Sequence, residues 1–160
     1  MSLTEVQPEQ LTAILARAEA LKQQLLDEDK CRDDFEHFSQ FLQIRPKAGS
    51  LVPFNLNSAQ RKILRAIEEQ REKTGRVRTV ILKGRQVGCT TLIAGIHFHQ
   101  MIYKPGLRTA IIAHERQASS NIREMIGRFY DHLPDDRKPA IATANQQELT
   151  FDKLDSGFLI

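Results

Sequence analysis

The run from Val80 to Thr91 (VILKGRQVGCTT) sets a glycine loop with two cations between an apolar, β-branched stretch and an apolar stretch of helical character. Those residue types in that order suit the binding of a phosphate group. Successive backbone N–H groups of such a loop and the positive end of the following helix converge on one anion. Thr90 is in register to place its hydroxyl on a phosphate-bound Mg²⁺, with Thr91 one residue behind it. The strict loop, G-x-x-x-x-G-K-[ST], is not met. Aligned on Gly88 and Thr90, Cys89 stands where the lysine belongs, Lys83 where the first glycine belongs, and Gly84 comes one position late. Lys83 and Arg85 flank the loop and offer replacement charge for the β/γ-phosphate oxygens, with the amides of Gln86 and its neighbours beside them. A loop this degenerate serves as readily as a plain turn between strand and helix.

Two residues upstream could meet a base. The Gln60 side-chain amide can donate to and accept from the N6/N7 edge of adenine, and the Phe54 ring can lie against it. Each has a plainer role. Asn57 and Gln60 stand at the N-cap and N3 positions of a capping box, and Phe54 precedes them where a staple-like packing residue belongs. His97 and His99, two apart on a helix, point to different faces and make no metal site. His114 ends a strand near the expected sheet edge and could sense nucleotide or DNA, with a satisfied or exposed histidine as its plainer role. Cys31 reads as packing between helices.

The elements that position these residues follow from periodicity. Leu11, Ile14, Leu15, Ala18, Leu21 and Leu25 predict an amphipathic helix from Pro8 to about Asp27. Phe35, Phe38, Phe41 and Leu42 mark a shorter one, and residues 46–53, with two prolines and a glycine, read as a linker. From Phe54 the pattern alternates. A helix starts at Asn57, buries Ile63, Leu64 and Ile67, and closes at Gly75. Val77 to Leu82 predicts a strand, Thr90 to about Met101 a helix, Leu107 to Ala113 a second buried strand. Ile122, Met125, Ile126 and Phe129 stripe a further helix, residues 134–145 are polar, and Leu149–Phe151 with Phe158–Ile160 predict a hairpin. Strand, helix, strand, helix in succession predict an α/β fold with a parallel sheet flanked by helices.

Composition sets the outer limits. The chain has 160 residues with 41% hydrophobic and 27% charged, ordinary for a globular domain. The longest stretch without Asp, Glu, Lys or Arg, Gln86 to Tyr103, is broken by Gln, Thr and His, so no membrane-spanning helix is expected. The first residues have neither the basic start nor the apolar core of a signal peptide. Two cysteines without CxxC spacing offer no disulfide framework and no zinc module. Residues 1–53 carry six basic and nine acidic side chains, residues 54–133 fourteen against six, and the last 27 three against five. The basic middle suits a polyanion, either nucleotide phosphates or a nucleic-acid backbone.

LKGRQVGCTT resembles the deviant Walker A loop of large terminase subunits, the DNA-packaging motors of tailed bacteriophages. In many of them a lysine opens the loop and an Arg-Gln pair precedes the second glycine. FNLNSAQ, Phe54 to Gln60, resembles the adenine-recognising Q motif of the same family, and AIIAHERQASSNI is similar to its second strand and helix. The resemblance covers about Phe54 to Ile160, with three motifs in order. It implies a P-loop NTPase-type ATPase domain over residues 54–160, preceded by a helical appendage (1–45) and the linker. It implies ATP and Mg²⁺ as cofactors, held by Phe54, Gln60, Lys83, Gly84, Arg85, Gln86, Gly88, Cys89, Thr90 and Thr91, with Thr90 on the metal.

Further expectations follow from the family. The partners would be double-stranded DNA, a portal protein and a small terminase subunit, with a homo-oligomeric ring on the portal, no membrane, and the host cytoplasm as compartment. A Walker B strand ending in Asp-Glu and a nuclease domain belong to family members. Neither is found here, so the chain reads as the first part of a longer motor, cut before its catalytic carboxylates and inactive alone. The rivals are a helicase-like nucleotide-dependent translocase, which also pairs a Q motif with a P-loop, and a non-catalytic assembly module with a degenerate loop.

Overall fold

The heptad-like spacing near the start forms helix α1 (Pro8–Asp33), which outruns the predicted stripe because the polar residues 28–33 carry no breaker. Throughout, the computed structural model describes residues 8–46, 49–82, 87–113, 115–145 and 147–159. Asp34 then caps α2 (Phe35–Ser39) by accepting the His37 N–H at 3.0 Å. Inside the stretch that reads as a linker, β2 (Val52–Pro53) pairs antiparallel with β1 (Gln43–Ile44). The ribbon carries Phe54 back to the end of α2, where its N–H meets the Leu42 carbonyl at 2.8 Å. Helix α3 (Ser58–Thr74) starts on the expected capping box and ends on Gly75, whose left-handed φ of +69° turns the chain away. Helices α4 (Cys89–Tyr103) and α5 (Arg116–Asp131) stand where periodicity puts them.

The sheet is mixed rather than parallel. Its order is β3-β6-β5-β4, built from β3 (Arg108–Ala110), β4 (Ile141–Ala144), β5 (Glu148–Phe151) and β6 (Ser156–Leu159). Only β3 and β6 run parallel, and the 149–159 hairpin is as expected. β4 arises in a segment whose polarity hides it. Its four residues are exposed, so no hydrophobic alternation marks them.

The predicted strand at 77–82 does not form. Its odd residues Val77, Thr79 and Ile81 face α3 and α4 across a shared cleft, while Val80 and Leu82 are 90% and 96% exposed. A strand needs a neighbour, and among the described residues none lies alongside. Instead the Gln70 side chain takes the Arg78 backbone, accepting its N–H at 2.6 Å and donating to its carbonyl at 3.2 Å. The second expected strand is likewise shortened to β3, with Ile112 at 96% exposure.

One apolar core joins Phe35, Phe38 and Leu42 to Phe54, Leu64, Leu92, Phe129 and Phe158, so residues on both sides of 46–53 share it. Gly95 makes this packing possible: a Cβ there would lie 3.0 Å from the Phe35 ring and 3.3 Å from the Phe54 ring. Among the described residues, His99 is the histidine buried in this joint. Its Nε2–H donates to the Cys31 carbonyl at 2.7 Å, and the Phe35, Phe38 and Tyr103 rings surround it.

Burial pulls the pKa of His99, and of half-buried His97, below the ordinary 6.5. The unfolded chain therefore takes up protons that the folded chain refuses, so stability is full above about pH 6.5 and falls as pH drops below it. Urea midpoints should decline between pH 7 and 5. His99→Gln, which keeps a donor for Cys31 and cannot titrate, should shallow that decline. An equal slope in both proteins would mean that His99 is not charged differently on unfolding.

Candidate phosphate-binding site

The start of α3 also holds the start of α4. Asn57 has the extended backbone of an N-cap (φ −80°, ψ 171°). Its Oδ1 accepts the Gln60 N–H at 2.9 Å, and Gln60 Oε1 accepts the Asn57 N–H at 2.9 Å. Each side chain has an NH₂ left over. Gln60 Nε2 donates to the Gly88 carbonyl at 2.9 Å, and Asn57 Nδ2 to the Val87 carbonyl at 3.3 Å. Gly88 is glycine for two reasons. Its φ is +76°, and a Cβ would fall 2.7 Å from Gln60 Nε2.

This clamp sets up the N-terminus of α4. Gly88 is its N-cap and supplies no side chain, so nothing from the cap residue occupies the first-turn N–H groups. Thr90 is exposed there, Thr91 is half-buried, and Cys89 is turned inward and buried. The arrangement offers backbone donors, the positive helix end and one hydroxyl to an anion. Beside it lies a cleft of about 760 Å³ walled by Ile81, Thr90, Ile111, Ile112, Asn121 and Met125. No described carboxylate lines it. Lys83, Gly84, Arg85, Gln86 and His114 lie outside the described residues.

The upstream pair is placed differently from what base recognition asks. Phe54 is 1% exposed and stacks on Phe129, with ring centroids 6.5 Å apart and planes within 7°. Both faces are enclosed, so packing is its role here. Gln60 is 3% exposed, with its oxygen and one N–H already bonded. Contact with adenine would compete with its hold on Gly88. The sequence shows the capping box but not this second bond, because nothing local links Gln60 to a glycine 28 positions on.

A second convergence of polar groups was invisible in the sequence. Donor atoms of Asp27, Cys31 and His37 lie within 4.8 Å of one another, the chemistry of a metal triad. Arg137 fills it. Its guanidinium donates to Cys31 Sγ and Asp27 Oδ2 and lies 4.1 Å above the centre of the Phe41 ring, while His37 Nε2 sits 2.9 Å from Asp27 Oδ1. These hydrogen bonds hold the Asp27 carboxyl below its usual range, and burial pushes the Cys31 thiol up. A side-chain cation already occupies the donors, and a metal ion would have to expel it. The arginine is 106 residues from Cys31, too far for spacing to reveal.

No protein-family model matches the chain.

The clamp predicts a coupling. Gly88→Ala should cost about 1–2 kcal/mol for the left-handed backbone and more for the clash with Gln60. Gln60→Ala should cost about 1 kcal/mol as a lost cap contact. The double variant should be less destabilised than the sum, since the clash partner is gone. Urea unfolding of the four proteins measures this, and strict additivity would disconnect the two residues.

Proposed function

We propose that this chain is the ATP-binding part of a DNA-packaging motor of the large-terminase kind, with phosphates at the N-terminus of α4 and Mg²⁺ on Thr90. The observation that carries the reading is the clamp of Asn57 and Gln60 on Val87 and Gly88. It makes the two sequence motifs, one upstream and one in the loop, parts of one site. The exposed Thr90 hydroxyl and the uncapped first turn of α4 supply what a Mg²⁺-bound polyphosphate needs. The basic bias of residues 54–133 favours phosphate and DNA backbone alike. None of the described helices is long and apolar enough to cross a membrane, in keeping with a motor that works in the host cytoplasm.

On this reading Gln60 acts first as the latch that fixes the loop end, and Phe54 seats that latch in the core. Lys83 and Arg85 provide the charge that Cys89 cannot. Catalysis is positioning and charge stabilisation around the γ-phosphate. With no described carboxylate in the cleft, the group that orients water belongs to a further part of the motor. The cleft is also walled by Ile81 and by Ile111 to Ala113 just past β3, where further strands of an ATPase sheet would enter. DNA, a portal, a small subunit and ring assembly remain partners of the whole motor.

The test is which cation serves the phosphates. Lys83→Ala should weaken binding of a fluorescent ATP analogue by about 1.5–3 kcal/mol, roughly 10- to 150-fold, with circular dichroism unchanged. Cys89→Ala should change little, because that side chain is buried. Cys89→Lys should partly rescue Lys83→Ala by restoring a cation in the usual place. No measurable nucleotide binding by the wild type would leave the assembly-module reading in its place.

A further inference from the structure

Helix α1 is 26 residues long, and every described side chain from Glu9 to Leu26 is exposed. Its apolar residues are not scattered. Leu11, Ile14, Ala18, Leu21 and Leu25 follow each other at alternating steps of three and four, the a and d positions of a heptad repeat, and Leu15 widens the stripe. Ile14, Leu15, Leu21, Leu25 and Leu26 are each more than half exposed. A helix draws most of its stability from packing an amphipathic face. Here the described side chains of that face, from Ile14 to Leu26, meet solvent, while α1 is anchored at its far end through Cys31 and Asp27. A contiguous exposed apolar stripe of this kind marks a docking surface.

The step of 3.5 residues says that the occupant is itself a helix, and the flanking charges say which kind. The charged residues at the e and g positions beside the stripe between residues 10 and 25 are Arg17 (g) and Lys22 (e), both basic. In a parallel pair of two copies, Arg17 would face Lys22 of the other copy. In an antiparallel pair e positions meet e positions (Leu15, Lys22) and g positions meet g positions (Gln10, Arg17, Gln24), so a basic residue meets only a basic or an uncharged one. Neither arrangement offers an opposite charge at these positions, which gives self-pairing no electrostatic support. A helix with acidic e and g positions turns the same contacts into attractions.

We infer that α1 is the docking helix for a different protein, which supplies an amphipathic helix with an Ile/Leu seam flanked by Glu or Asp. This surface is separate from the phosphate site and does not depend on it. Association joins two apolar seams and neutralises Arg17 and Lys22, so its affinity falls with salt.

The test uses the full chain and two labelled peptides of three heptads, both with Ile at a and Leu at d. One carries Glu at e and g, the other Lys. Fluorescence anisotropy should show the Glu peptide binding at least tenfold more tightly. Leu21→Gln with Leu25→Gln should weaken it at least tenfold without changing the unfolding midpoint, because those side chains are exposed. Arg17→Glu with Lys22→Glu should reverse the preference. Equal affinity for the two peptides, or no effect of the leucine changes, would overturn the proposal. So would a wild-type dimer in sedimentation equilibrium that Leu21→Gln with Leu25→Gln dissolves, or leucine-dependent binding to 3:1 phosphatidylcholine–phosphatidylglycerol vesicles in place of the peptide.

Discussion

Helix α3 holds both ends of the segment between Arg78 and Gly88, and it does so with glutamine side chains. Gln70 bonds the backbone of Arg78 on both its N–H and its carbonyl, and Gln60 bonds the carbonyl of Gly88. Ten residues of helix separate the two glutamines, a span of about 15 Å at 1.5 Å per residue. The ten steps of chain between their targets have a contour of roughly 33 Å. The pins therefore fix both Arg78 and Gly88 against one helix. The start of α4, the aim of its first-turn N–H groups and the placing of Thr90 all inherit their position from α3.

How much of this could be read from sequence depends on the range of the interaction. Caps are local. Asn57, Gln60 and Gly75 fix the ends of α3 within four residues of themselves, so the helix stands as expected. The stripes of α4 and α5 and the 149–159 hairpin are likewise set by neighbours a few positions apart. Strand pairing is not local. Val77 to Leu82 has the composition of a buried strand and keeps the alternation of one, odd residues toward the helices and even residues outward. What it lacks among the described residues is a partner strand, and composition cannot supply that. The same limit explains β4, which has a partner in β5 but no apolar pattern to announce it.

The site shows the same division. The glycine loop and its cations stand out in the sequence because a phosphate site would ask for those residue types at short spacing. The reading of Gln60 and Phe54 as base contacts rests on resemblance, and the packing gives both residues structural work. Phe54 is enclosed by Phe129 and by the groove that Gly95 opens in α4. Gln60 has a carbonyl 28 residues away to hold. The signal that could have suggested the latch is Gly88 itself. A glycine at a helix N-cap fits either a left-handed backbone or a close neighbour, and Gly88 has both.

The N-terminal helices are joined to the rest by burial at one end only. Cys31, Phe35, Phe38 and Leu42 lie in the common core, His99 reaches back to the Cys31 carbonyl, and Arg137 closes on Asp27 and Cys31. This joint is tight enough that α2 cannot be a detachable piece without exposing four core residues. Beyond Asp27 toward the amino end, the described side chains from Glu9 to Leu26 are exposed. Rigid attachment at the base with an unpaired apolar stripe above it gives a helix its direction before any partner arrives. A partner then loses less freedom on docking than it would against a flexible tail, because the orientation is already fixed by the core. Arg137 matters here more than as a surface ion pair. Its side chain is 8% exposed, and removing it would leave the Asp27 carboxylate beside a buried thiol with only His37 to oppose it. The base of α1 would then loosen from the 135–137 turn, and the stripe would lose its fixed bearing while keeping its sequence.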